Sequence, residues 1–127
     1  MPIVSGCMAR LSNCIGIILM LFATTASAKH LHSERYYQEQ WCNDHGGKLE
    51  YTLDDRTRVD CLTDTYAIEF DFAPKWAEAV GQSLYYGLKT GKKPGIVLII
   101  EADEDDKHLK KLQPLAEKYG ITIWTVH

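Results

Sequence analysis

The chain has 127 residues, of which 46% are hydrophobic and 24% are charged. This composition is typical of a globular protein and excludes a coiled coil, a collagen-like repeat and a long disordered tail. The formal net charge of −3 argues against a protein that binds nucleic acid through its overall positive charge. The length allows one domain.

The first 28 residues have the three parts of a secretory signal. Arg10 precedes an apolar run, Ile15–Phe22, and small residues follow at 26–28. An uncleaved anchor is the alternative, but the run is far shorter than the roughly 20 apolar residues needed to span a bilayer. We therefore expect cleavage near Lys29 and export of residues 29–127 as one periplasmic or secreted domain without stable membrane association.

Two of the four cysteines, Cys42 and Cys61, remain after this cleavage. An oxidising compartment favours a disulfide between them, which would stabilise the fold by about 3 kcal/mol by restricting the unfolded chain. Two buried free thiols are the alternative, and two cysteines are too few for a zinc site. Cleavage also removes Arg10 from the 14 basic residues, so 13 remain against 17 acidic residues and the net charge becomes −4.

Periodicity predicts the first elements of the domain. Apolar residues recur at helical spacing over His30–Asp44 until two glycines stop the helix. A hairpin follows, with strands over Lys48–Leu53 and Arg58–Leu62. A third strand, Tyr66–Phe72, directs its aromatic and aliphatic residues to one face and its small and acidic residues to the other.

The second half of the domain is predicted to alternate between helices and strands. A helix over 74–90 begins with a proline and stops at a glycine, and the continuous apolar run Gly95–Ile100 is typical of a strand covered on both faces. A third helix runs towards Tyr119 with a bend near Pro114, and Ile121–Val126 forms the last strand. The order αβββαβαβ predicts an α/β (α+β) protein whose mixed sheet is flanked by helices.

Three carboxylates are predicted to converge on one side of this sheet. Asp60 lies on the second strand, and Glu69 and Asp71 are two residues apart on one face of the third. Gathered carboxylates repel one another unless a cation lies between them, and oxygen ligands favour magnesium, manganese or calcium over zinc. The alternative is an exposed strand face on which these residues are solvated. The second helix favours a site, because it brings Lys75 and Gln82 to the same end of the sheet.

The element order, the spacing of Asp60 and Glu69, and Gln82 with Tyr86 one helical turn later together resemble the PD-(D/E)XK (restriction-endonuclease-like) nuclease superfamily. The resemblance covers nearly all of the predicted domain and implies a metal-dependent phosphodiesterase. By this resemblance Asp60 and Glu69 hold Mg²⁺ or Mn²⁺, and Glu34 is a further acidic ligand on the first helix. Gln82 then orients a water or a phosphate, and Tyr86 contacts the substrate.

One position departs from the pattern of this superfamily. The pattern has a lysine two residues after Glu69, and this chain has Asp71. Lys75 at the start of the second helix could supply the missing charge, because its long stem can reach back towards the strand. Alternatively, Asp71 is a further metal ligand. Lys92 and Lys93, in the turn before the next strand, could contact a phosphate backbone.

Three hypotheses follow for the function. The first is an exported, metal-dependent nuclease-like phosphodiesterase whose partner is nucleic acid. The second is a catalytically inactive nuclease-fold binding or interaction module in the periplasm, and the third is a small disulfide-stapled structural protein whose carboxylates are all solvated. No feature identifies a protein partner. Trp41, Trp76 and Trp124 fall on core-facing positions, which favours core packing over base stacking.

Overall fold

The structure is a computed structural model, and it describes residues 29–127. The secretory signal predicted for the first 28 residues lies outside the described residues. Within 29–127, no helix has both the length and the apolar character needed to cross a membrane.

The helices and strands of residues 29–127 follow the predicted order, and they confirm an α+β protein with a mixed sheet flanked by helices. In chain order the elements are α1 (Glu34–Asp44), β1 (Lys48–Thr52), β2 (Arg58–Leu62), β3 (Tyr66–Phe72), α2 (Trp76–Thr90), β4 (Lys93–Ile99), α3 (Asp106–Tyr119) and β5 (Thr122–Val126). Short 3₁₀ turns, Ala73–Lys75 and Asp103–Asp105, lead into α2 and α3. α3 runs through Pro114.

The five strands form one sheet in the spatial order β1-β2-β3-β4-β5. The first three strands are antiparallel neighbours, whereas β3, β4 and β5 run parallel. Parallel neighbours need a crossover connection, and α2 and α3 provide the two crossovers. Both helices contribute to a core on one face of the sheet, and α1 packs on the other face.

Two predicted boundaries were wrong. The first helix begins at Glu34 and not at His30, because the Ser33 side chain caps it by accepting a hydrogen bond from the Tyr36 N–H. Leu31, which supported the longer helix, is 72% exposed and precedes the cap. β4 begins at Lys93, two residues before the predicted start, because it pairs with the whole length of β3.

The predicted disulfide between Cys42 and Cys61 is confirmed. It joins α1 to β2 with a Cα–Cα distance of 5.8 Å, and both cysteines are fully buried. Gly47 packs directly on the two sulfur atoms: a Cβ at this position would lie 2.4 Å from one and 2.6 Å from the other. The turn between α1 and β1 therefore requires glycine at 47, and the disulfide fixes α1 beside the strand that carries Asp60.

Candidate functional site

Asp60 lies where the pairing of β2 with β3 changes. The regular antiparallel pairing of β2 with β3 covers Leu62 with Ala67 and Cys61 with Ile68, and Asp60 comes directly after its last pair. The Asp60 carboxylate Oδ2 accepts a hydrogen bond from the Phe70 backbone N–H at 2.8 Å. A side-chain oxygen thus takes the place of a backbone carbonyl, and the carboxyl group is drawn between the two strands.

A local distortion of the hairpin accompanies this change. Glu50 of β1, opposite Asp60, has a left-handed φ of +49°, which is uncommon for a residue other than glycine. The residues on either side of Asp60 are buried on opposite faces of the sheet. Cys61 lies in the core on the α1 face, and Val59 packs with Tyr86 of α2. Backbone strain of this kind costs on the order of 1–3 kcal/mol and concentrates at functional sites.

Glu69 and Asp71 lie on the α2 side of β3. They pair in parallel register with Ile96 and Leu98 of β4, two residues of the core beneath α2 and α3. Their exposed fractions are 3% and 5%. The interpretation of this face as solvated surface was therefore wrong, and so was the hypothesis of a structural protein whose carboxylates are all solvated.

The first helix brings Glu34 and Gln38 to these carboxyls. Glu34 is the first residue of α1, and Gln38, one turn later, is only 4% exposed. The Gln38 Nε2 donates a hydrogen bond to the Glu34 Oε1 at 2.9 Å. Sequence reasoning missed Gln38, although its spacing of four residues from Glu34 places the two side chains on one helix face.

Burial raises the pKa values of all four carboxyl groups, and the charge of Asp60 adds to the shift of the other three. Burial raises the pKa of Glu34 to about 7, aided by the negative charges of Asp60 and Asp71. Burial also raises the pKa of Asp71 to about 6, although the positive charge of Lys75 opposes the shift. The pKa of Glu69 lies far above its ordinary value because of burial, the charge of Asp60 and a hydrogen bond between their carboxyls. Burial is the main cause of the raised pKa of Asp60.

Glu69 has a buried carboxyl oxygen that accepts no hydrogen bond. Its Oε1 is buried and has no hydrogen-bond partner among residues 29–127. Within the same range, no group of three or more His, Cys, Asp and Glu side chains already has an arrangement that could hold a metal ion. Holding a cation would therefore require side chains of the cluster to rotate, and Asp60 and Glu34 each keep a second carboxylate oxygen that is not used in these hydrogen bonds.

Three of the other predicted site residues lie on or just before α2. Lys75 is exposed in the turn before the helix, and its charge acts on both Asp71 and Glu34. Tyr86 is buried, and burial together with the charge of Glu69 raises its pKa. Gln82 is exposed one turn before Tyr86. The structure therefore brings Lys75 and Tyr86 to the carboxyls and leaves Gln82 on the helix surface.

Lys92 and Lys93 lie away from the carboxyls. Lys93 pairs with Tyr66 at the start of β3, three residues and therefore about 10 Å before Glu69 along the strand. The Lys92 Nζ donates a hydrogen bond to the Asp64 carbonyl oxygen at 2.7 Å. Both lysines follow the end of α2, where positive charge also complements the helix dipole.

The fold and the site define an α+β protein with four carboxyls, two buried and two half-buried, at the junction of β2, β3 and α1. Comparison of the chain with protein-family models, with curated proteins and with solved structures finds no match. The functional argument therefore depends on the chemistry of the cluster itself.

Proposed function

We propose that the chain is a divalent-cation-dependent phosphodiesterase that acts on nucleic acid and has a restriction-endonuclease-like core. The observation that carries this proposal is the cluster of Glu34, Asp60, Glu69 and Asp71, whose pKa values are all raised by burial and, except at Asp60 itself, by the charge of Asp60. Groups with perturbed pKa values gather at functional sites, because a stable fold gains nothing from burying like charges together.

The donor set of the cluster fits a magnesium or manganese ion. Carboxylate oxygens are the preferred ligands of both ions, and the unpartnered Oε1 of Glu69 would gain a partner. Asp60 and Glu69 would hold the ion, and Glu34 and Asp71, whose pKa values respond to the charge of Asp60, would add oxygens from α1 and β3 once side chains rotate. When bound, a divalent cation stabilises charge on phosphoryl oxygens and acidifies water.

The remaining residues have roles that follow from their positions. Lys75 is exposed at the edge of the cluster, where its ammonium group can contact a phosphate and stabilise the negative charge that develops during hydrolysis. Asp71, whose pKa is about 6, can accept a proton from an attacking water near neutral pH. The amide of Gln82 can donate a hydrogen bond to the same phosphate from the surface of α2.

The negative charge of the cluster makes the activity depend on the cation. The carboxyls that are ionised near neutral pH, Asp71 among them, face a single nearby lysine, so a phosphodiester is repelled until positive charge is added. We therefore expect no hydrolysis in a chelator, and we expect Lys75 alone to be insufficient.

The first test is a calorimetric titration of the purified protein with Mg²⁺ and Mn²⁺. Glu69→Gln keeps the shape of the side chain but removes its charge, and we expect it to abolish binding. Glu104→Gln is the matched control, because Glu104 is an exposed acid in the turn before α3. Binding that survives Glu69→Gln, or the absence of binding to the unaltered protein, would contradict the proposed cation site.

The second test measures hydrolysis of single-stranded and double-stranded DNA and RNA in the presence of Mn²⁺. We expect cleavage by the unaltered protein, and loss of about 10²-fold or more in rate with Lys75→Ala.

Asp71 occupies the position at which the nuclease superfamily has a lysine, and this favours a second candidate function, an inactive binding module. Cation-dependent binding of nucleic acid without hydrolysis would support that module instead of the enzyme.

A further inference from the structure

An aromatic cavity lies on the α1 side of the sheet, on the opposite face from Glu69 and Asp71. It has a volume of about 370 Å³, which is within the range of pockets that bind small molecules. Rings from three elements line it: Trp41 of α1, Tyr66 of β3 and Trp124 of β5. All three tryptophans of the chain are half-buried against a core, as predicted, but Trp41 and Trp124 also border this cavity.

The rings meet at steep angles and thus form adjoining walls. The ring centroids of Trp41 and Trp124 are 5.1 Å apart with an interplanar angle of 59°. Tyr66 and Trp124 are 4.9 Å apart and perpendicular. His45, which also lines the cavity, stacks on Trp41 at 3.6 Å. Steeply inclined aromatic walls let one small group contact the faces of several rings.

The backbone of β4 makes room for one of these walls. A Cβ on Gly95 would lie 2.7 Å from Cζ3 of Trp124, so only glycine lets the indole lie flat against the sheet. On this face of the sheet Trp41 of α1 contacts Trp124, whereas α3 packs on the other face. The cavity lies beside this contact and is lined by Trp41, Tyr66 and Trp124.

The charge of the cavity favours a cation. Asp64 is its one acidic lining residue, and no lysine or arginine of the described chain lines it. The Asp64 carboxylate is exposed and takes part in no ion pair within residues 29–127. The nearest recorded basic contact, from Lys92, goes to the backbone carbonyl of Asp64. An anion would meet the negative faces of three rings and a carboxylate.

We propose that this cavity binds a small organic ammonium cation through the faces of Trp41, Tyr66 and Trp124, with Asp64 as the counter-charge. Aromatic faces attract methylated and primary ammonium groups by cation–π interaction, and tryptophan does so most strongly. The proposal is independent of the phosphodiesterase activity, because the two sites share no residue.

Tetramethylammonium is the probe, and tryptophan fluorescence is the measurement. The Trp76→Phe variant leaves Trp41 and Trp124 as the emitting residues, both at the cavity. We expect a saturable change in emission with tetramethylammonium chloride, relative to the same concentration of sodium chloride. Neopentyl alcohol, which has a similar branched shape without charge, should bind at least tenfold more weakly.

Two variants of the binding residues test the assignment. Trp124→Leu should weaken tetramethylammonium binding by about tenfold, and Asp64→Asn by a few fold. Asp54→Asn, at an exposed acid in the β1–β2 turn, is the matched control and should leave binding unchanged. Asp64 is at the surface, so its variant remains informative even where Trp124→Leu does not fold. Equal binding of the neutral alcohol, no saturation with tetramethylammonium, or no effect of Asp64→Asn would overturn the proposal.

Discussion

The two faces of β3 are equally buried and chemically opposite. Ile68 and Phe70 face α1 and the disulfide, and they form an apolar core. Glu69 and Asp71 alternate with them along the strand, face α2, and are as inaccessible to water. The same strand thus carries one face that stabilises the fold and one face that opposes it.

This difference indicates which part of the strand exists for folding and which for function. Burying apolar surface contributes roughly 25 cal/mol per Å², whereas burying carboxyls beside one another carries a desolvation and repulsion cost. Sequences depart from a consistent folding pattern mainly at functional sites. We therefore expect substitutions on the two faces to change stability in opposite directions.

The largest effect is expected on the apolar face. Phe70 is buried among aromatic and aliphatic side chains, and its ring meets Trp41 at a centroid distance of 5.8 Å. Phe70→Ala should lower the free energy of unfolding by about 3–5 kcal/mol, through lost transfer energy and the cavity that remains. Urea unfolding measures this change. Phe70→Leu is the control and should cost much less; equal costs for both variants would contradict the cavity argument.

The disulfide beside this face should rank second. Replacing Cys42 and Cys61 together with alanine should lower the free energy of unfolding by about 3 kcal/mol, because the unfolded chain regains its freedom. The same change loosens α1 beside β2, so the affinity for Mn²⁺ should also fall. Calorimetry on the double variant checks the second effect. Unchanged Mn²⁺ affinity would show that β2 and β3 alone position the cation ligands.

The acidic face should respond in the reverse direction. In a chelator at pH 7.5, Glu69→Gln should raise the free energy of unfolding by about 1–3 kcal/mol, because it removes the cost of a buried carboxyl next to Asp60. Saturating Mg²⁺ should then stabilise the unaltered protein and leave the variant unchanged. A decrease in the free energy of unfolding for Glu69→Gln in the chelator would contradict the expectation that substitutions on the two faces change stability in opposite directions.

The sequence was sufficient for the features that depend on local periodicity. The alternation of Tyr66–Phe72 predicted which residues share a face, and the glycine after Thr90 predicted the end of α2. The pairing of Cys42 with Cys61 followed from their being the two cysteines left after the expected cleavage. Each of these features follows from chain spacing or backbone preference, which a single sequence displays.

The features that depend on tertiary packing could not be predicted in the same way. Alternation does not reveal whether the second face of β3 is wet or covered, so the burial of Glu69 needed the placement of α2. The left-handed φ of Glu50 depends on how β1 pairs with β2, and a glutamate in the sequence does not predict such a conformation. Gln38 is one polar residue among many on α1, and its burial depends on how the helix is docked. Trp124 borders the cavity because of how Trp41 of α1 and Tyr66 of β3 are placed around it.

The pH dependence should also separate the cluster from the apolar face, because Glu34 and Asp71 titrate between about pH 5 and 7 in the folded protein, whereas Ile68 and Phe70 carry no titratable group. The pKa of Glu34 rises from 4.5 to about 7 in the folded protein, and that of Asp71 from 3.8 to about 6. Over this window the folded protein holds protons that the unfolded chain has lost, so the free energy of unfolding falls as the pH rises. The unfolding midpoint in a chelator should therefore decrease from pH 5 to pH 7.5.

Asp55 provides an internal contrast of the opposite sign. Hydrogen bonds from Thr57 and Tyr85 lower its pKa to about 2, so its contribution to stability is lost only as the pH falls below about 4. Asp55 therefore does not change the free energy of unfolding between pH 5 and pH 7.5, and the slope in that range is assigned to the cluster. Glu34→Gln should reduce the slope in that window, whereas Glu104→Gln should leave it unchanged. A slope that survives replacement of all four carboxyls of the cluster by amides would place the titrating groups outside the cluster and remove the electrostatic distinction between the two faces.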